Sequence, residues 1–233
     1  MCSNYRSVTR RDRLLSFFGV ERGLEEAPSE LVFPTGVAPF IRRATEGASD
    51  KVVADGHFGL LPPFAKELAY GRRTYNARSE TVGSLPSFRD AWRMGQRCIV
   101  PAEAIFEPCY ESGKAVRWCI QQPGEVPMGI AGVWQAHPRL KGHDGQPLLS
   151  FAMLTVNADG HPVFKRMHRP GDEKRMVVIV DPAEYDRWLF CSTDEASTFF
   201  RPWTGPLDAF SAPLERPPRF PLPDEPPAQA GLF

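Results

Sequence analysis

The apolar positions sort into a few short helices and a longer succession of strands. Leu14, Leu15, Phe17 and Phe18 recur among basic residues between Thr9 and Phe18, the spacing of a short amphipathic helix. Residues 27–50 are rich in proline, glycine and polar side chains around Leu31-Val32-Phe33, and predict a loop with short extended pieces. Val52, Val53, Phe58, Leu60 and Leu61 predict a strand that starts at Lys51 and ends at Pro62-Pro63. One or two helical turns follow over Phe64 to Tyr70, then a helix over Ser87 to Met94 with Ser87 as its cap.

Strand-like segments crowd the middle of the chain. Arg97 to Val100, Ala104 to Glu107, Val116 to Gln121, Met128 to Trp134 and Leu148 to Val156 are rich in branched and aromatic residues. Turn signals such as Ser112-Gly113, Pro123-Gly124 and Asp144-Gly145 separate them. The spacing predicts an antiparallel meander curled into a barrel. Met176 to Val180 is one more strand. Asp181-Pro182 opens a helix through Leu189, and Asp194 to Phe200 gives a last short helix. After Arg201 the chain is crowded with proline. Residues 1–201 therefore read as a single domain, and residues 202–233 as an arm or flexible tail.

Charge narrows the possible partners. Lys and Arg number 28 and so do Asp and Glu, so any contact with nucleic acid rests on a local patch. The five cysteines form no CxxC pair and are odd in number, which argues against a structural zinc site and a secreted disulfide framework. No glycine-rich phosphate loop is present, and no cofactor or metal is expected. The N-terminus has no long apolar run, so a cytoplasmic protein without a membrane span is expected.

The candidate chemistry begins at Cys2, directly behind Met1. Loss of the methionine would leave an amine and a thiol on adjacent carbons. An N-terminal amine has a reference pKa of about 7.7–8.0, so part of it is free base near neutrality. A thiol titrates at about 8.5 and is lowered by a cationic neighbour. With an aldehyde, the amine forms an imine and the thiol closes on it as a durable thiazolidine. In Tyr75-Asn76-Ala77-Arg78-Ser79-Glu80-Thr81, the Asn76 amide both donates and accepts, and Arg78 suits a phosphate; a polar loop with an Asx turn would use the same residues. Glu107 ends an apolar stretch, a place either for a general acid or base or for a solvated strand end. His168 follows a strand in Lys165-Arg166-Met167-His168-Arg169, with His161 a competitor in the same loop.

Together these segments resemble the SOS response-associated peptidase family, also called abasic-site processing proteins. The resemblance runs from Met1-Cys2 through Asn76-Ala77-Arg78-Ser79-Glu80-Thr81, Cys98-Ile99-Val100-Pro101-Ala102 and Phe106-Glu107. It continues through Gly129-Ile130-Ala131-Gly132-Val133-Trp134, Thr155-Val156-Asn157-Ala158 and Met167-His168. It implies an α+β fold with a central, barrel-like antiparallel β core and peripheral helices. It also implies release of Met1 by the protein itself, binding of single-stranded DNA, and capture of abasic sites as a thiazolidine cross-link in the response to DNA damage. By motif, Cys2 is the nucleophile and Asn76 positions it with the opened sugar. Glu107 is acid and base in methionine release and ring closure, and His168 shuttles protons at the sugar hydroxyl, with ring-opening, lyase-like chemistry and reversal as consequences. The expected state is a monomer, cytoplasmic and at the nucleoid when bound to DNA.

The chain departs from the family pattern near its DNA-contacting positions. Ser3 and Asn4 follow Cys2, so Arg6 is the first basic residue. Phe58 or Phe64 stands where tryptophans are common, and Pro108 follows Glu107. Either Arg169 or Arg175 is the phosphate contact after His168, with Arg175 favoured because it directly precedes the strand. The expected DNA contacts are thus Arg78, Arg175, Arg169, Arg6 and Phe64. Two other readings use the same residues: a thiol peptidase or amidase with Cys2, His168 and Asn76, and a non-catalytic single-strand binding module.

Overall fold

Residues 4–23, 27–44, 50–142 and 144–214 are described by a computed structural model. Cys2, on which the expected chemistry turns, lies outside the described residues. The strands and helices are β1 (Asn4–Ser7), α1 (Arg11–Phe18), β2 (Leu31–Val32), β3 (Val37–Arg43), β4 (Lys51–Phe58) and β5 (Asn76–Arg78). Then come α2 (Arg89–Arg93), β6 (Arg97–Cys109), β7 (Val116–Gln121), β8 (Met128–Lys141) and β9 (Pro147–Asn157). The chain closes with β10 (Arg175–Val177), β11 (Ile179–Val180), α3 (Tyr185–Phe190), α4 (Thr193–Ala196) and β12 (Asp208–Ser211).

The architecture is α+β, as expected. Strands β8, β9, β4, β3 and β6 pair in turn, and β6 pairs back onto β8, closing a five-stranded barrel. Neighbours are antiparallel except β9, which runs parallel to β4 and β5. Closure removes the sheet edges that would otherwise recruit other strands. Ile41, Phe58, Ile99, Val133, Phe151 and Met153 lie in one buried apolar cluster. Among the described residues no helix is long and apolar enough to cross a membrane.

β6 organises the rest. Its first half is walled in by β3 (Ile41 opposite Ile99) and β8 (Val100 opposite Ile130). Its second half runs past the barrel between β1 (Tyr5 opposite Ile105) and β7 (Glu107 opposite Trp118). The sequence predicts a break at Pro101, yet the strand is continuous. The β1 register shifts between Arg6 and Ser7, so that Ala104 and Ala102 are matched while Glu103 is passed over. A bulge of this kind is where a strand tolerates proline. The Pro101 carbonyl still accepts from the Val8 amide at 3.2 Å.

Two other expectations are corrected. Residues 27–50 include β3, which is a full barrel strand. Its Ala38, Phe40 and Ile41 are buried, while Gly36, Pro39 and two arginines dilute the apolar pattern. Ser87 does not cap its helix. Its hydroxyl lies 3.0 Å from that of Tyr70, and α2 has no side-chain cap. Past Arg201 the chain still contributes to the sheet, because β12 pairs with β7. Asp181 does cap as expected, accepting from the Ala183 amide at 2.9 Å.

Candidate active site

Glu107 and His168 meet although 61 residues separate them. Glu107 lies near the outer end of β6, and its side chain is 1% exposed. His168 arrives on the loop after β9. Met167 bridges to Cys109, and the His168 amide donates to the Pro108 carbonyl at 2.7 Å. The loop is thereby stitched to β6 at the two residues that follow Glu107. His168 Nε2 and Glu107 Oε2 end 3.0 Å apart, with the histidine side chain 7% exposed. A carboxyl and an imidazole in hydrogen-bond contact away from water are equipped to pass a proton between them.

The backbone at His168 has φ of 63°, left-handed and rare for a residue with a β-carbon. Such a conformation persists only when its surroundings impose it. The bridge at Met167 and the amide bond to Pro108 are two such constraints, and Lys174 Nζ adds a third by donating to the Arg169 carbonyl at 2.7 Å.

β1 brings the N-terminal segment to the same place. Asn4 is opposite Phe106, one residue from Glu107. Two peptide units join Cys2 to Asn4, a covalent reach of at most about 7 Å. Asn4 is gripped by Arg117 of β7, whose Nε and Nη2 donate to Asn4 Oδ1 at 3.2 and 3.1 Å. The same guanidinium lies over the Phe106 ring at 3.3 Å. Arg117 was not singled out from the sequence; a cation within the apolar run Val116–Gln121 is its only signal. Trp118, directly across from Glu107, was missed as well. Its half-buried ring lies 4.7 Å from the guanidinium of Arg166, which Glu111 holds at 2.8 Å.

Asn76 begins β5, half-buried and in register with Met153 of β9. The turn before it depends on Gly59, where φ is 128° and a β-carbon would lie 2.3 Å from the Gly71 carbonyl oxygen. That close approach lets Thr74 Oγ1 donate to the Leu60 carbonyl at 2.7 Å, fixing the chain just before Asn76.

The expected DNA contacts differ sharply in exposure. Arg175, the favoured phosphate contact, has a side chain only 2% exposed. It donates to Glu80 at 2.8 Å, to Glu173 at 2.6 Å and to the Thr155 carbonyl at 2.8 Å. Burial alone would push Glu80 and Glu173 up, but hydrogen bonds from Arg175 and its charge outweigh that and hold both below the usual carboxylate range. Arg175 is therefore spent on the fold. Arg78 is half-exposed with a single carboxylate partner, Glu173 at 2.9 Å. Arg169 is exposed and meets the Tyr110 hydroxyl at 3.3 Å. Arg6 is exposed on β1, and Phe64 is half-exposed, edge-on to Tyr70. Phe58 is wholly buried against Tyr5 and Phe151, so it has no face for a base.

His161 has a fold role that takes it out of the competition. Its Nδ1 accepts from the Val163 and Phe164 amides, so Nε2 carries the proton and donates to the Trp203 carbonyl at 3.0 Å. Burial pushes its pKa down. Among the described residues no group of three or more His, Cys, Asp or Glu is arranged to hold a metal ion.

Comparison with known proteins bears on the family. Residues 1–212 match the family model described as SOS response associated peptidase (SRAP). Over 190 residues, which is 81% of the chain, it is 28% identical to the abasic site processing protein YoqW of Bacillus subtilis, covering 80% of that relative. It is 23% identical to the abasic site processing protein YoaM of the same organism, covering 79%. A crystal structure of a Bordetella bronchiseptica protein superposes with a TM-score of 0.81 at 35% identity, over 91% of this chain and all of that one.

Proposed function

The chain belongs to the SOS response associated peptidase family, and from that membership together with the Glu107–His168 pair we propose that it processes abasic sites in single-stranded DNA. The acting group is Cys2 after loss of Met1. The observation that carries the reading is the buried carboxyl–imidazole contact of 3.0 Å on the very strand that pairs with β1, whose first residue follows Cys2 by two.

The chemistry follows from those groups. An abasic deoxyribose interconverts with an open aldehyde when a proton is moved between its ring oxygen and C1′ hydroxyl, a transfer suited to His168. The Cys2 amine adds to the aldehyde carbon and water leaves, giving an imine. The Cys2 sulfur then bonds to that carbon, the thiol proton goes to the nitrogen, and a thiazolidine links protein to sugar. Glu107 supplies and removes the protons at nitrogen, first in hydrolysis of the Met1–Cys2 peptide and then in loss of water. Asn76 donates to the opened sugar. Arg78, Arg169 and Arg6 contact phosphates, Phe64 offers a face to a base, and Trp118 frames the acid. Arg175 acts indirectly, by holding Glu80 and Glu173 beside Arg78.

The test is a denaturing gel of purified protein with single-stranded DNA carrying one abasic site, with undamaged DNA and Cys2→Ala as controls. A slow band that needs both the abasic site and Cys2 is expected. No band from protein whose Met1 is gone by intact mass would overturn the reading. Release of residues from added peptides would then favour a general thiol peptidase.

A further inference from the structure

At the opposite end of β6 from Glu107, Arg97 opens into a cavity of about 370 Å³ whose wall includes Arg42, Arg43, Met94, Gly95 and Trp134. Ten residues of strand, at about 3.3 Å each, put roughly 33 Å of β6 between this cavity and the acid. The Arg97 side chain is 2% exposed. Its Nε donates to the Trp188 carbonyl at 2.9 Å and its Nη2 to the Cys191 carbonyl, but its buried Nη1 finds no partner among the described residues. Nη1 faces Gly95, where a β-carbon would stand 3.6 Å away and φ is 64°. Glycine at that turn keeps the approach to the guanidinium open.

Arg42 and Arg43 repeat the pattern. Each has a buried Nε with no partner among the described residues, although Arg42 Nη1 donates to the Arg43 carbonyl at 2.9 Å. Arg42 lies 4.7 Å over the Trp134 ring, and Arg43 lies 5.4 Å over Phe190. Among the described residues, none of the three arginines forms a salt bridge, whereas Arg13, Arg22 and Arg175, also buried or half-buried, each do. Burial lowers the pKa of Arg42. It does the same to Arg97, where Arg43 adds to the effect and Cys191 and Glu195 oppose it. Three cations in one half-closed cavity, with donors unspent, cost stability that an anion would return.

From this geometry we infer a second binding site, distinct from the Glu107 end, for a phosphomonoester that carries a planar group, the class that includes nucleoside monophosphates. Guanidinium forks match phosphate oxygens in pairs, and a dianion answers more than one of them. The Trp134 face and Met94, which is 71% exposed at the rim, suit the planar group. The volume lies in the range of small-molecule sites.

The test is calorimetric titration of the full chain with inorganic phosphate and with deoxyadenosine monophosphate, repeated on Arg43→Gln and Arg43→Lys. Arg43 is the cleanest position because, among the described residues, its side chain makes no hydrogen bond that holds the fold. One saturable site is expected, tighter for the nucleotide than for phosphate, weakened about tenfold or more in Arg43→Gln and partly restored in Arg43→Lys. Without ligand, Arg43→Lys should melt like the wild type and Arg43→Gln no lower, since it sheds a charge the cavity leaves unpaired, and cross-linking to abasic DNA should be unchanged. No saturable binding at millimolar ligand, or equal binding by Arg43→Gln, would refute the site. So would Arg43-dependent binding of an undamaged oligonucleotide with none of the mononucleotide.

Discussion

Near its two ends β6 holds a side chain that is charged at neutral pH in water, Glu107 and Arg97, both almost fully buried. Their surroundings differ. Glu107 faces a histidine 3.0 Å away, a group that can accept or return a proton. Arg97 faces two carbonyl oxygens and open cavity, and a guanidinium does not give up its proton in a protein. Equal burial therefore leads to different capacities. The acid end can change its protonation during a reaction; the arginine end can only attract what is already charged. What decides between chemistry and binding is the partner of the buried charge.

The strongest way to break that contrast is Glu107→Gln, which keeps shape and one hydrogen bond but cannot move a proton. Its cross-linking rate on abasic DNA is expected to fall by about 10²–10⁴-fold, read from the time course of the shifted band. A rate like the wild type's would mean that this end also only binds.

Arg175→Met carries the next largest effect, on stability. The variant removes a cation that two carboxylates share, at a cost of about 2–3 kcal/mol, the low part of the range because both carboxylates are partly in water. Urea titration would measure it. pH adds a sharper signature. Glu80 and Glu173 are held low in the folded chain, so their contribution is present above the ordinary carboxylate value and is lost as pH falls through the lowered one. Wild-type stability should start to drop as pH falls below about 4.3, the ordinary glutamate value, and Arg175→Met should show a flatter profile over the same descent.

His168→Ala and His168→Gly should be equally slow in cross-linking, since both lack the imidazole. Their stabilities should differ by about 1 kcal/mol in favour of glycine, which adopts the left-handed backbone without strain. Equal stability would remove the argument that the loop is held there by force. Arg78→Ala should do least, changing stability by under about 0.5 kcal/mol. It should lower the salt dependence of DNA binding by about one phosphate's worth, in a titration of affinity against salt.

The sheet was legible where strands carry dense branched and aromatic residues, as in β7, β8 and β9. It was illegible where proline or arginine stood inside a strand. Pro101 sits beside a bulge and β3 ends in Arg42-Arg43, and tertiary pairing overrode both local signals. At the site, the residue types of Asn76, Glu107 and His168 were visible, but the meeting of Glu107 with His168 was not, because only the crossing of the loop after β9 over β6 creates it. The preference for Arg175 came from its place before a strand. Position along the chain could not reveal that Glu80 and Glu173 already claim it, whereas Arg78, three residues into the same polar run, stays in water.

The pairing of β1 with the outer half of β6 also sets a timetable for biosynthesis. Asn4 leaves the ribosome about a hundred residues before Phe106, its partner in the sheet, and His168 comes later still. At ordinary elongation rates the interval is on the order of ten seconds or more. Through that interval the nascent chain carries its first residues without the acid or the imidazole beside them. If Met1 release relies on Glu107, the aminothiol is unmasked only after the barrel has closed, so it is not exposed to stray aldehydes while the chain is still being made.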